Sequence, residues 1–311
     1  MENKTQIFIP PHPLKTAVLF LVFNRLDTTK QVFEAIQKAK PPRFYIAADG
    51  ARNNREGESE KVKEVRDFIL NNIDWQCEIK TLFREKNLGC KYAVSSAITW
   101  FFEQEEMGIV LEDDCLPTQS FFWFCEELLH RYKDETRVWH IGGINLQNGI
   151  VRGDGDYFFS KYSHIWGWAS WASRWKFYDV EISNIKDSNF IRNTFKYKPL
   201  QRYWIQNLKK IRSNKLDTWD FQWIFTIWIN DGLAILPNIN LILNIGFSKD
   251  ALHTQGESPT LTASDLTIKK HPSKIIYSED ADNYHYQNYD KPDPIFIRII
   301  NKFKKIFSKI F

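Results

Sequence analysis

Residues 17–23 read AVLFLVF, a run with no polar side chain. A strand with one wet face alternates apolar and polar positions, so an unbroken apolar run needs cover on both faces. The chain beyond it repeats the theme. Asp27, Thr28 and Thr29 look like the cap of a helix running to about Lys38, with Val32, Phe33 and Ile36 inward, and Pro41-Pro42 ends it. RFYIAADG gives a second strand ending at Asp49-Gly50, and the polar loop RNNREGE leads into a helix over about 60–70. CEIKTLF is a third strand, Asn87-Leu88-Gly89 opens a helix to about Glu103, and a short strand at 108–111 runs into Glu112-Asp113-Asp114. Alternation of this kind predicts an α/β fold with a mainly parallel sheet and helices on both faces.

In such sheets ligands collect at the carboxyl ends of the strands, where loops and helix N-termini converge. Asn24-Arg25, Asp49 and the acidic triplet all fall at those ends, so they are expected along one rim. The later chain is less regular. VWHIGG, DYFFSKY, LAILP and NLILN read as strands, helical patterns recur near 200–212 and 218–230, and the stretch 164–175 is rich in aromatic and small residues. No repeat or low-complexity linker divides the chain. The expected organisation is an arm at 1–15, one catalytic domain at 16–290 and a C-terminal helix at 291–311.

Charge is unevenly spread. The net +4 hides a tail, 291–311, with six Lys or Arg against Asp293, which leaves the remainder near neutral at −1. A neutral body argues against nucleic acid, whose phosphates need a basic face. On a helical projection Arg298, Lys302, Lys305 and Lys309 form one stripe, opposed by Phe296, Ile300, Phe303, Phe307 and Ile310. That pattern suits an anionic membrane surface, or alternatively docking on the protein itself or on a second copy. Cys77, Cys90, Cys115 and Cys125 form no C-x-x-C pair, and Cys125 with His130 lacks zinc spacing. With neither a signal-peptide pattern nor about 18 consecutive apolar residues, the expectation is a cytoplasmic protein peripheral to the inner membrane face. An aromatic share of 15%, with 12 Trp, exceeds what a core requires.

Three adjacent carboxylates after an apolar strand are costly to bury without a cation. Oxygen ligands of this kind suit Mn²⁺ or Mg²⁺, which bind through one or two carboxylates plus substrate phosphates. The alternative is a solvated turn before a helix starting near Thr118.

VLEDDCLPTQSFFWFCEELL resembles the strand–EDD–helix segment of the inverting N-acetylglucosaminyltransferase I family, which uses UDP-GlcNAc and Mn²⁺. VFNRLDTTKQVFEAI and YIAADG are similar to its nucleotide-contacting first and second strand ends, and NLGCKYAVSSAITWFF to the helix before its metal strand. WGWASWASRW, TWDFQW and NIGFSKDALHTQG are similar to its Gly-Trp acceptor segment, its Trp-Asp base motif and its substrate-ordered loop. The resemblance spans roughly 17–256 in the same order. It implies a GT-A-type nucleotide-diphospho-sugar transferase fold with an irregular acceptor-side half. By the same resemblance Asp114 would hold the metal, Glu112 and Asp113 would contact ribose and sugar, and Asp49 the uracil. Asn24 and Arg25 would meet the nucleotide or its phosphates. Lys91 stands near another nucleotide-site position, where the residue type departs from the family's. The family's lumenal setting is not matched here, so a bacterial-type surface polysaccharide or glycolipid precursor is the expected acceptor.

Asp220 is the candidate general base, in the first turn of a helix that Thr218 would cap; such acids also serve helix stability alone. Trp166, Trp168 and Trp219 offer flat faces to an acceptor sugar or else pack in the core, where Trp171 and Trp175 belong. His253 either touches the diphosphate or metal or lies on the surface. Two rival functions remain. A sugar nucleotidyltransferase would want a Gly-rich, basic phosphate loop after the first strand, which VFNRLDTT does not supply. A non-catalytic glycan-binding or membrane-active module would account for the Trp content and tail but not for the acidic rim.

Overall fold

The computed structural model describes residues 8–246 and 261–291 of the 311-residue chain. Strands β1 (Ala17–Val22), β2 (Arg43–Ala48), β3 (Glu78–Phe83) and β4 (Met107–Glu112) alternate with helices α1 (Leu26–Ala39), α2 (Glu58–Asn72) and α3 (Gly89–Phe102). These strands are mutually parallel in the order β3-β2-β1-β4. After the short β5 (Cys115–Pro117) and α4 (Gln119–Arg131) come β6 (Val138–Gly142), β7 (Tyr157–Ser160) and β8 (Trp168–Trp171). Helices α5 (Ala172–Trp175), α6 (Asn189–Thr194), α7 (Lys198–Arg212) and α8 (Asp220–Ile229) lead to β9 (Leu233–Pro237) and β10 (Ile242–Asn244). Helix α9 (Glu279–His285) runs directly into a π-helical turn, Tyr286–Asp290.

The eight-stranded sheet continues past β4 as β8-β6-β9-β7, with β8 antiparallel to both its neighbours and β6 parallel to β9. The expected α/β architecture, a mainly parallel sheet between helical layers, is what the chain adopts. β1 shows why its sequence demanded this. Val18, Phe20 and Val22 enter one core layer, with Val32, Phe33, Val65 and Phe121 from α1, α2 and α4. Ala17, Leu19 and Leu21 enter the other, with Ile98 and Phe101 of α3 and Trp223 of α8. Alternate side chains of one strand thus serve opposite layers, and each large apolar residue so buried contributes roughly 1.5–3 kcal/mol.

Several expectations are corrected. Arg25, not Asp27 or a threonine, is the N-cap of α1; Thr28 and Thr29 lie inside the helix, where the Thr29 hydroxyl donates back to the Arg25 carbonyl. Trp219 is the N-cap of α8, with no side-chain cap. The aromatic excess is core after all. Ten of the 12 Trp are buried, most of them in the layer beneath α7 and α8. α6, α9 and the π-turn carry too weak a periodicity to be read from sequence. The arm is tied down where it is described: Glu126 of α4 accepts from Lys15 N and Thr16 N, each at 2.7 Å, and Trp123 donates to the His12 carbonyl.

Candidate active site

The parallel register aligns the strand ends. Leu21 pairs with Glu112 and Val22 with Ala48, so Asn24-Arg25, Asp49 and the triplet lie on one rim, as the sequence implied. Strand β10 pairs with β5 and lays the backbone of Ile245 on Asp114, its N–H donating to the Asp114 carbonyl at 2.8 Å. The next residue is glycine, because a Cβ on Gly246 would collide with the Asp114 carboxylate.

At the centre the cation is protein-borne. The Arg25 guanidinium pairs with Asp113 and lies 2.9 Å from Asp114. Burial would lower the Arg25 pKa, but the two carboxylates more than offset it and the net shift is upward. Asp113 is pushed up to about 6, because its burial outweighs Arg25. Glu112 rises well above the ordinary range, first through burial and then through the charges of Asp114 and Asp113. Two carboxylate oxygens, Glu112 Oε1 and Asp113 Oδ2, are buried without a hydrogen-bond partner. Such atoms are costly to leave unmatched and mark a place that accepts a ligand's donors or a cation. They fit the Mn²⁺ or Mg²⁺ that the triplet suggests. Among the described residues no cluster of three or more His, Cys, Asp or Glu side chains is arranged to hold a metal by itself.

Other residues have different occupations from those expected. Asp49 accepts from Gly50 N, Leu88 N, Gly89 N and Asn87 Nδ2 at 2.9–3.1 Å, so its carboxylate anchors the start of α3. Lys91 gives its ammonium to Glu181 at 2.9 Å rather than to the rim. Asn24 donates to Glu58, which also pairs with Arg52 and thereby ties the loop after β2 to the end of β1. Trp168 and Trp219 are buried at 0% and 2% exposure and stack on one another at 5.9 Å, so neither presents a face to an acceptor. Trp166 is half-buried against the core and keeps some open surface. His253 and residues 292–311 lie outside the described residues.

Asp220 opens α8 and accepts a hydrogen bond from Thr218, which therefore orients the acid instead of capping the helix. Two neighbours adjoin this acid: Asp217, the carboxylate that the sequence offers as the alternative base, and Cys90, which sequence reasoning read only as a buried thiol. Asp217 accepts from Lys91 N at 3.1 Å, making a second carboxylate at the start of α3. Cys90 is pushed upward by burial and then by Glu112, Asp220, Asp217 and Asp49, which locates it where the rim and α8 meet. Its signal was adjacency to Gly89, whose φ of +77° sharply turns the chain there.

No family model and no curated protein matches the chain. Solved structures give distant likenesses. UDP-glucose pyrophosphorylase complexed with UDP-glucose aligns at a TM-score of 0.33 and 10% identity, over 53% of this chain and 79% of that one. TarS of S. aureus aligns at 0.38 and 9%, over 72% and 35%. The galactosyltransferase LgtC in complex with donor and acceptor sugar analogs aligns at 0.27 and 14%, over 53% and 60%. Likenesses this remote assign no activity.

Proposed function

We propose that the chain is an inverting glycosyltransferase that moves a sugar, GlcNAc by the resemblance, from a UDP-sugar to a glycan hydroxyl. The observation that carries this reading is the pair of unpartnered, buried oxygens on Glu112 and Asp113 at the end of β4, beside Arg25. Buried acceptors next to a fixed cation suit a ligand with hydroxyl donors and a charged diphosphate. Asp114, with Glu112 and Asp113 behind it, would hold Mn²⁺ or Mg²⁺, which when bound offsets charge on the diphosphate. Arg25 keeps the carboxylates in place and supplies positive charge to the leaving group. Glu112, whose buried Oε1 meets no donor within the protein, can accept from a sugar hydroxyl. Asp220 takes the proton of the attacking hydroxyl, its carboxylate oriented by Thr218 and stabilised by the N-terminus of α8. The acceptor is a surface polysaccharide or glycolipid precursor, consistent with attachment to the inner membrane face through the basic tail.

The test is product analysis with UDP-GlcNAc and Mn²⁺. Release of UDP, rising on addition of acceptor, is expected. Pyrophosphate-dependent formation of a nucleoside triphosphate and sugar phosphate would instead identify a nucleotidyltransferase, and no turnover with any nucleotide sugar would leave only a binding module.

A further inference from the structure

β8 is antiparallel to β4 and to β6, and β6 is parallel to β9, so β6 and β9 end on the same rim as the acidic triplet. β9 is the third strand beyond β4, roughly 14 Å along that rim at ordinary strand spacing. Between β6 and β7 the chain forms a loop at 143–156 whose tip, Ile150 and Val151, is 40% and 69% exposed. Single exposed aliphatics are ordinary on a surface, but this pair is held outward by fixed structure. Asn148 and Gly149 turn the chain with φ of +49° and +81°, and Ile150 N donates to the Gln147 carbonyl at 3.0 Å. Asn145 donates to the Pro237 carbonyl, and Asn238 donates to those of Arg152 and Gly155. Asn148 donates to the Tyr284 hydroxyl and accepts from that of Tyr289, each at 2.9 Å. A loop tied in this way to β9, α9 and the π-turn cannot fold its tip inward.

The side chains behind the tip are graded. Tyr284 and Tyr289 are half-buried. Arg152 is held by Gln147 Oε1 at 2.8 Å and lies over the Tyr284 ring at 5.4 Å, partners that leave its charge uncompensated. Lys269 and Lys270 are exposed alongside, where Asp156 N donates to the Lys270 carbonyl. The acids of the loop are occupied, Asp154 by Ser273 N and Asp156 by Lys269 N and Lys270 N. An aliphatic tip, tyrosines behind it and cations at the flank follow the order of side chains across a lipid–water interface. A protein partner could also take an apolar tip, but the neighbouring chain favours lipid. Tyr289, bonded to Asn148, lies two residues before Lys291, where the basic tail begins. Tip and tail start from one place and suit the same surface.

We propose that Ile150 and Val151 enter an anionic lipid surface and so turn the active-site rim toward it. The loop is a docking point distinct from the tail. That this orientation serves a lipid-linked acceptor rests on the glycosyl-transfer reading; the docking itself does not.

Sedimentation of the full chain with phosphatidylcholine–phosphatidylserine vesicles tests it, comparing wild type with a double variant, Ile150→Ser and Val151→Ser. The double variant should partition about tenfold more weakly, the effect of withholding two aliphatic side chains from an apolar phase. Salt should weaken binding of both proteins through the tail, yet the ratio between them should hold, because screening spares apolar contact. Val151→Trp should bind more tightly than wild type, since indole favours the interface. Melting temperatures should be unchanged in both variants, as the substituted side chains are exposed, and so should the UDP shift in Mn²⁺. Equal partition by wild type and the double variant overturns the proposal, as does a wild type that stays in the supernatant. A concentration-dependent dimer that the double variant loses, with vesicle binding unaltered, assigns the tip to a second copy instead. Vesicle binding lost with the tip, in a protein that shows no UDP shift, supports the docking and removes the donor reading on its own.

Discussion

Arg25 and Asp114 meet at 2.9 Å across the ends of adjacent parallel strands. The chain therefore carries its own counter-ion to the acidic rim, held by the N-cap position of α1. Removing it should expose the cost of the rim. Arg25→Ala is expected to lose about 3 kcal/mol at neutral pH in urea unfolding, the low end for breaking a buried pair because Arg25 is 30% exposed. The loss should shrink at pH 5, below the value of about 6 to which burial pushes Asp113, because the carboxylate left without Arg25 is then protonated. An unchanged midpoint at pH 7.5 would mean that the rim needs no internal cation.

Donor binding should depend on metal. UDP is expected to raise the melting temperature in Mn²⁺ and much less in EDTA, since a ligand bound only to the native state stabilises it. Asp114→Ala should erase the difference. Equal UDP shifts with and without chelator would exclude a bridging metal.

Asp220→Asn keeps the shape of the side chain. It should spare the UDP shift yet slow transfer by roughly 10²- to 10⁴-fold, the range for losing acid–base catalysis. Near-normal transfer would move the role to another carboxylate close by, with Asp217 next to be tested.

Asp282 fixes α9 to the end of β7, accepting from Ser160 Oγ at 2.5 Å and Lys161 N at 3.0 Å. Burial pushes its pKa from 3.8 up to about 7. A raised folded pKa favours the protonated native state, so this contribution is whole below about pH 4 and is lost as pH rises through about 7. Asp282→Asn should flatten the melting temperature between pH 4 and 8 relative to wild type. Parallel curves for the two proteins would show that Asp282 does not titrate in this window.

The tail hypothesis rests on the opposed stripes beyond Lys291. The full chain should sediment with phosphatidylserine vesicles and a chain ending at Tyr289 should not, with binding weakened by salt. Equal sedimentation of both would point to docking within the protein or between copies.

Sequence alone determined the sheet and its rim. AVLFLVF could only be a strand covered on both faces, and a parallel sheet sends Asn24-Arg25, Asp49 and Glu112-Asp113-Asp114 to the same edge by topology. Those are local facts of periodicity and chain direction. Tertiary structure decided what each rim residue does. Asp49 spends its lone pairs on the start of α3, Lys91 is taken by Glu181, and Trp168 and Trp219 sink into the core. Each outcome depends on a partner far along the chain, and neither burial nor pairing has a period that one segment can show. A buried polar group around Tyr162 is the extreme case. Tyr162, Trp204, Asn207, His285 and Asp290 are spread over more than a hundred residues, and only the packing of α7, α9 and the π-turn brings them together.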